Sequence, residues 1–264
     1  MEPDWINSNI TDTSPVEAPH GFLRMYCANC GAFHDVPIRC SDRLCVPCLR
    51  RRSSRLFARM MDLLKYFKPI PEYRWSHLIL TQPIGTSLKY QTSLIIRSFA
   101  KMRKTNWWKS FCWGGFYAVE AKYNPKGWHV HIHVVIYHKW VPVSQIRKHW
   151  SIAMRRRSLC WIRTLSRGKD FKQIVSYILK YATKDVDIPE DRREEYNLKL
   201  RSVRMFNLIG GMQLIYREHG VKQYIFRCPV CGKTEWISEY DYLHLRKIAP
   251  RIRSPVLVSY LVPF

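Results

Sequence analysis

Residues 127–138, GWHVHIHVVIYH, set three histidines at alternate positions in a run of valine and isoleucine. Successive side chains on an extended strand point to opposite faces, so His129, His131 and His133 share one face. Val130, Ile132 and Val134 share the other. The apolar face is that of a strand laid on a core. Three imidazoles in a row on the second face would each need a hydrogen-bond partner if that face were plain core, so the pattern points to metal. Two neutral imidazoles and one carboxylate suit a divalent ion with open positions that can polarise a phosphate. Any two of the three could form such a pair. The expected carboxylate is Glu120, on the preceding strand "GGFYAVEAKY" and across the short turn "NPKG".

Outward from this strand the pattern reads as strand "RWSHLILTQ", helix "LKYQTSLIIRSFAKMRK" and the strand that carries Glu120. After the histidine strand come helix "VSQIRKHWSIAMRRR", short strand "LCWIRTL" and helix "FKQIVSYILKYATK". Strands alternating with single helices, with two strands joined by a short turn, predict a mixed α/β sheet with helices packed on it. In the last helix Val175, Ile178, Leu179 and Ala182 cluster on one face, whereas Tyr177, Lys180, Tyr181 and Lys184 lie on the opposite one. A phenol is a weak nucleophile at neutral pH, its reference pKa being about 10. A metal-polarised phosphate and a neighbouring lysine cation both ease its attack. Tyrosine, histidine-bound metal and lysine together describe a phosphodiester transfer site.

The totals agree with such a substrate. The 264 residues suit one large domain, or a catalytic domain with small additions, and 47% hydrophobic residues can bury a real core. Against 20 Asp and Glu stand 44 Lys and Arg, a formal charge of +24. That field attracts polyphosphates, nucleic acid being the commonest. No apolar stretch approaches the ~20 residues of a spanning helix, so no membrane partner is expected. Residues 1–20 are acidic and lack a basic-then-apolar signal layout, which reads as a flexible leader on a cytoplasmic protein. Of nine cysteines, six form CxxC pairs. In a reducing compartment that spacing indicates zinc. Cys27, Cys30, Cys45 and Cys48 are expected to give four thiolates to one structural ion, with Cys40 in reserve. Cys228 and Cys231 suggest a second zinc, completed by His219, His244 or ligands of the N-terminal module. The expected organisation is a leader (1–20), a zinc module with a basic helix (21–70), a nuclease domain (71–185) and an accessory C-terminal region with a CxxC knuckle (186–264).

These residues resemble a known family. "HIHVVI" resembles the hydrophobic-His-hydrophobic-His motif of the HUH endonucleases, "YILKYATKD" their tyrosine motif, and "LILTQP" the short strand motif that precedes both. "RCSDRLCVPCLRRR" and "KYATKD" are similar to plasmid rolling-circle replication initiators, or Rep proteins. The resemblance covers roughly residues 40–185. It implies an α+β fold with a central antiparallel sheet flanked by helices, an HUH/RRM-like palm carrying the N-terminal zinc module. It further implies Mg²⁺ or Mn²⁺ on His131 and His133, which apolar residues follow directly as in the family motif, with His129 in reserve and Glu120 where a third ligand is often placed. It implies as well a 5′-phosphotyrosyl intermediate on Tyr181 with Lys184 and Lys180 beside it. The partner would be single-stranded DNA at a plasmid or viral replication origin, with the 3′-OH priming synthesis by a separate polymerase. No G-x-x-x-x-G-K-[ST] occurs, so a separate helicase is expected as well. Many plasmid initiators carry glutamate four residues before the tyrosine, where this sequence has Tyr177. Paired tyrosines are similar to certain phage initiators and to two-tyrosine transposases or relaxases. A zinc-ribbon nucleic-acid-binding regulator without catalysis is the alternative from another class.

Overall fold

The computed structural model describes residues 20–38, 40, 42–165, 173, 175–176, 188–220 and 227–248. The chain divides into two compact units, one formed by residues 1–40 and 221–264, the other by residues 41–220. These are not the boundaries expected at 70 and 185, and residues 1–19 of the expected leader lie outside the described residues. The expected accessory region is split: its first part belongs to the larger unit, and its CxxC knuckle shares a unit with Cys27 and Cys30. Among the described residues no helix is long and apolar enough to cross a membrane.

The smaller unit holds strands β1 (Phe22–Cys27), β2 (Phe33–Pro37) and β8 (Trp236–Ser238), in the order β2-β1-β8, all antiparallel. Helix α7 (Glu239–Ile248) follows β8 directly. Tyr26 of β1 stacks flat on Tyr242 of α7 at 4.0 Å, and its hydroxyl donates to Glu239 (3.3 Å).

The larger unit is built on five strands: β3 (Arg74–Thr81), β4 (Cys112–Asn124), β5 (Gly127–His138), β6 (Cys160–Thr164) and β7 (Phe206–Gly210). Their order is β6-β3-β5-β4-β7, and every neighbouring pair is antiparallel. The sheet is therefore antiparallel with helices, not mixed. Helix α2 (Leu88–Lys104), continued by the short α3 (Asn106–Phe111), links β3 to β4. Helix α4 (Val143–Met154) links β5 to β6. Each helix joins two parallel strands, but a third strand lies between them, so no parallel pair forms. This is a β-α-β-β-α-β chain path with split crossovers.

Crossovers of one hand put both helices on one side of the sheet. Leu88, Ile95, Phe99 and Met102 of α2, with Ile146, Trp150 and Met154 of α4, pack there on Leu78, Leu80, Val119, Val130, Ile132 and Val134. The Trp150 indole donates to the Thr81 carbonyl at 2.9 Å, which fixes α4 over the β3 end. Ser87 caps α2, accepting from the Tyr90 N–H, and Lys101, Arg103 and Lys104 in its last turn suit the helix dipole.

The opposite face of the sheet is apolar at one end only. There Phe116, Ala118 and Val135 meet Met60 and Leu63 of helix α1 (Val46–Leu64) and Met212 of helix α6 (Gly211–His219). Helix α5 (Glu190–Leu200) and β7 complete the unit, Tyr196 and Leu200 joining the core beneath α2 and α4.

Candidate functional site

The other end of that second face carries the histidines. Strand alternation puts Ala118, Glu120 and Lys122 of β4 on the same face as His133, His131 and His129 of β5, each the register partner of the other. The apolar packing stops at Ala118 and Val135, and the polar cluster begins one step further along both strands.

Glu120 is 2% exposed, and both imidazoles reach one of its oxygens: His133 Nε2 lies 3.1 Å and His131 Nε2 3.4 Å from Oε2. Lys122 Nζ stands 3.4 Å from Oε1. Burial alone would pull the Glu120 pKa up. The hydrogen bond and charge of His133, with Lys122 and His131, outweigh it and hold the carboxyl at about 2. Burial, with the neighbouring His129, pushes His131 down to about 4. At neutral pH the site thus offers a carboxylate and a neutral imidazole. His131 Nδ1 and Glu120 Oε1 are buried without hydrogen-bond partners. From Tyr73 to Lys169 Glu120 is the sole carboxylate, set among eighteen lysines and arginines. An acid kept in such a segment, and buried, is not an ordinary strand glutamate. His129 lies opposite Lys122, with its ring 4.3 Å from that of His131.

His77 of β3 was not anticipated. It is buried, its Nε2 is 3.2 Å from His133 Nδ1, and the two rings stack at 5.4 Å. A carboxylate only accepts, so His133 Nε2–H donates to Glu120, and in a neutral ring Nδ1 then accepts from His77 Nε2–H. One histidine in "RWSHLILTQ" carries little signal. It falls on the face of His133 because Ile79, two positions on, is the register partner of His133.

The nucleophile candidates Tyr177 and Tyr181, with Lys180 and Lys184, lie outside the described residues. Val175, two positions before Tyr177, is fully buried in the apolar cluster on the histidine side of the sheet.

The cysteines regroup. Ligand atoms of Cys27, Cys30, Cys228 and Cys231 all lie within 4.8 Å of one another. Cys27 and Cys231 sulfurs are 3.5 Å apart, as are those of Cys30 and Cys228. Both knuckles have the same frame. Gly31 N–H donates to Cys27 O and Gly232 N–H to Cys228 O, at 2.9 and 2.7 Å, with φ near 74° and 72°. Only glycine adopts that left-handed turn without strain. Burial raises the Cys27 and Cys30 thiols, Cys30 to about 12, while backbone donation at Lys233 brings Cys231 down to about 6. Four thiolates fill a tetrahedral zinc shell. The expected set Cys27, Cys30, Cys45 and Cys48 is therefore corrected, because Cys228 and Cys231 take the places assigned to Cys45 and Cys48. Neither His219 nor His244 completes that pair. His219 belongs to the larger unit, where it stacks on Tyr66, and His244 is exposed on α7. Cys45 and Cys48 remain a close ligand pair at the start of α1, and Cys40 one with His20 in the smaller unit.

Comparison with known proteins finds no matching protein family, no matching curated protein and no matching solved structure.

Proposed function

We propose that the chain is a metal-dependent, site-specific DNA nicking and joining enzyme of the HUH type, acting on single-stranded DNA at a replication origin to start rolling-circle synthesis. The observation that supports this reading best is the Glu120 carboxylate. It stands opposite His131 in register, within reach of both imidazoles, on the sheet face that the two crossover helices leave free. The split β-α-β path agrees with the palm that the sequence resemblance implies.

The donor set fits a divalent ion. Ring nitrogens of His131 and His133 with the Glu120 carboxylate would hold Mg²⁺ or Mn²⁺, and His77 would orient His133; Glu120 Oε1 meets the half-exposed Lys122 ammonium without a hydrogen bond, which leaves its lone pairs open to an ion. Such an ion, when bound, polarises a phosphate oxygen. The Tyr181 phenol attacks the phosphorus, forming the tyrosyl O–P bond as the P–O3′ bond breaks. The phenolic proton is lost, and the leaving 3′ oxygen gains one. Lys184 and Lys180 supply the cation near the phenolate. The product is a 5′-phosphotyrosyl protein and a free 3′-OH. Tyr177 is the residue for a second transfer.

The test is incubation with single-stranded origin candidates and Mn²⁺, followed by a search for a covalent protein–DNA band. His131→Ala, His133→Ala and Tyr181→Phe should each lose the band while DNA binding persists. Tyr177→Phe should spare the first cleavage and impair strand transfer, as expected of a two-tyrosine transposase or relaxase. Wild-type adduct in the double histidine variant would move the site elsewhere. DNA binding with no adduct on any substrate would leave the non-catalytic zinc-ribbon regulator.

A further inference from the structure

The side of the sheet away from the histidines carries a cleft between α2 and α4 that the nicking chemistry does not use. Tyr90, Leu94, Arg97 and Lys101 line it from α2, Arg155 and Arg156 from the end of α4. The α2 residues follow at intervals of four, three and four, which makes one stripe along the helix. At ~1.5 Å rise per residue the stripe runs for about 16 Å. Its floor is made of short or apolar side chains, among them Ser98 and Ala153. Arg155 closes α4 in the left-handed conformation (φ 55°), and Arg155 and Arg156 are both exposed at the mouth.

Neither α2 nor the stretch from Val143 to Arg157 contains a carboxylate. Among the described residues none of the four cations is ion-paired with an acid. A solvated helix face in a soluble protein ordinarily mixes both signs, whereas this one keeps only the positive. Four exposed cations lining one groove, rather than scattered, fit a chain of phosphates. Tyr90, 54% exposed at one end, adds a flat surface on which a base can stack.

We infer that the cleft between α2 and α4 is a second nucleic-acid site that takes the phosphodiester backbone of single-stranded DNA, with Tyr90 stacking on a base. It rests on the DNA-binding half of the proposed function and is independent of nicking. Strand held here lies on the far side of the sheet from His131 and His133, so it is DNA flanking the reacting phosphate. The enzyme would thereby grip its substrate at two places.

Binding of a fluorescent single-stranded oligonucleotide of about 30 nucleotides is measured without divalent metal, across a series of salt concentrations, on the full chain. The groove variant Arg97→Gln/Lys101→Gln/Arg156→Gln is compared with Lys68→Gln/Lys109→Gln/Lys199→Gln, three exposed lysines away from the cleft with the same loss of charge. The groove variant should bind at least about tenfold more weakly and lose about 2 from its log–log salt slope, at ~0.7 per phosphate released. The control should change less than about threefold. Tyr90→Ala should weaken single-strand binding and leave duplex binding unchanged. Equal weakening in both triple variants would show a diffuse field and overturn the cleft. Unchanged binding in the groove variant would do the same, and equal Tyr90→Ala effects on single strand and duplex would remove the stacking role. Each of these outcomes is read with no cleavage step, so failure of the nicking chemistry cannot imitate them.

Discussion

His77, His133 and Glu120 form a buried line of hydrogen bonds across three adjacent strands. If His133 ligates an ion through Nε2, its Nδ1 must carry the proton and donate to His77, reversing the tautomers of both rings. His77 suits that exchange because imidazole both donates and accepts. A partner in this position typically changes metal affinity by about 10- to 100-fold. His77→Ala should therefore weaken Mn²⁺ binding by at least about tenfold, measured by electron paramagnetic resonance titration, and His77→Gln should recover most of it. Equal affinity in wild type and His77→Ala, with unchanged circular dichroism, would reduce His77 to packing. The histidine pair and Glu120 were legible in the sequence, because alternation on one strand and a four-residue turn fix which side chains share a face. His77 was not legible. Its role depends on the register of β3 against β5, which brings together histidines 56 positions apart, and periodicity within one segment carries no register between segments.

At the scale of elements, β4 has to serve two neighbours. It pairs with β5 along nearly its whole length and with β7 from Gly114 to Ala118. The ladder to β5 shifts register between Cys112 and Gly114, and Gly115 follows with φ 153°. A Cβ added at Gly115 would run into the backbone carbonyl of Val135, which cannot move without breaking the β4–β5 ladder. Gly115→Ala should destabilise the larger unit by more than about 2 kcal/mol, well above the effect of an ordinary surface substitution. Urea unfolding followed by tryptophan fluorescence checks this, and an unshifted midpoint would mean that the strands part there at no cost. The strands and the two long helices from β3 to β6 were legible because each carries its own period of two or 3.6 residues; the six-residue α3 is too short to show one. β7 was missed: "FNLIG" is five residues long, and its place in the sheet is set by a partner ninety residues earlier. The antiparallel pairing was likewise not contained in the alternation of strands and helices. That alternation also suits a parallel sheet, and the insertion of β5 between β3 and β4 decides the matter.

At the scale of the molecule, the two ends of the described chain belong to one unit, joined by the β1–β8 ladder and by a cluster of four cysteines. Cys27 and Cys30 are about 200 positions from Cys231 and Cys228, yet each sulfur meets one from the other end. The apolar cluster of buried residues around them consists of Cys27, Ala32 and Cys228, with Trp236 packed against it. So small a core stabilises little by burial, and a bound ion's free energy becomes folding free energy for such a module. The sequence made each CxxC pair visible but not their pairing, because knuckles of equal spacing are interchangeable until the chain path is known. That ambiguity is open to direct measurement. Purified protein should contain tightly bound zinc by elemental analysis. Cys228→Ser/Cys231→Ser should lose one equivalent, and Cys27→Ser/Cys30→Ser should lose the same one. The fourfold variant should lose no more than either pair, because all four thiolates serve one ion. A different result follows if Cys27 and Cys30 share their ion with Cys45 and Cys48. In that case Cys228→Ser/Cys231→Ser would keep the equivalent lost from Cys27→Ser/Cys30→Ser, and the closure of the two chain ends by metal would fall with it.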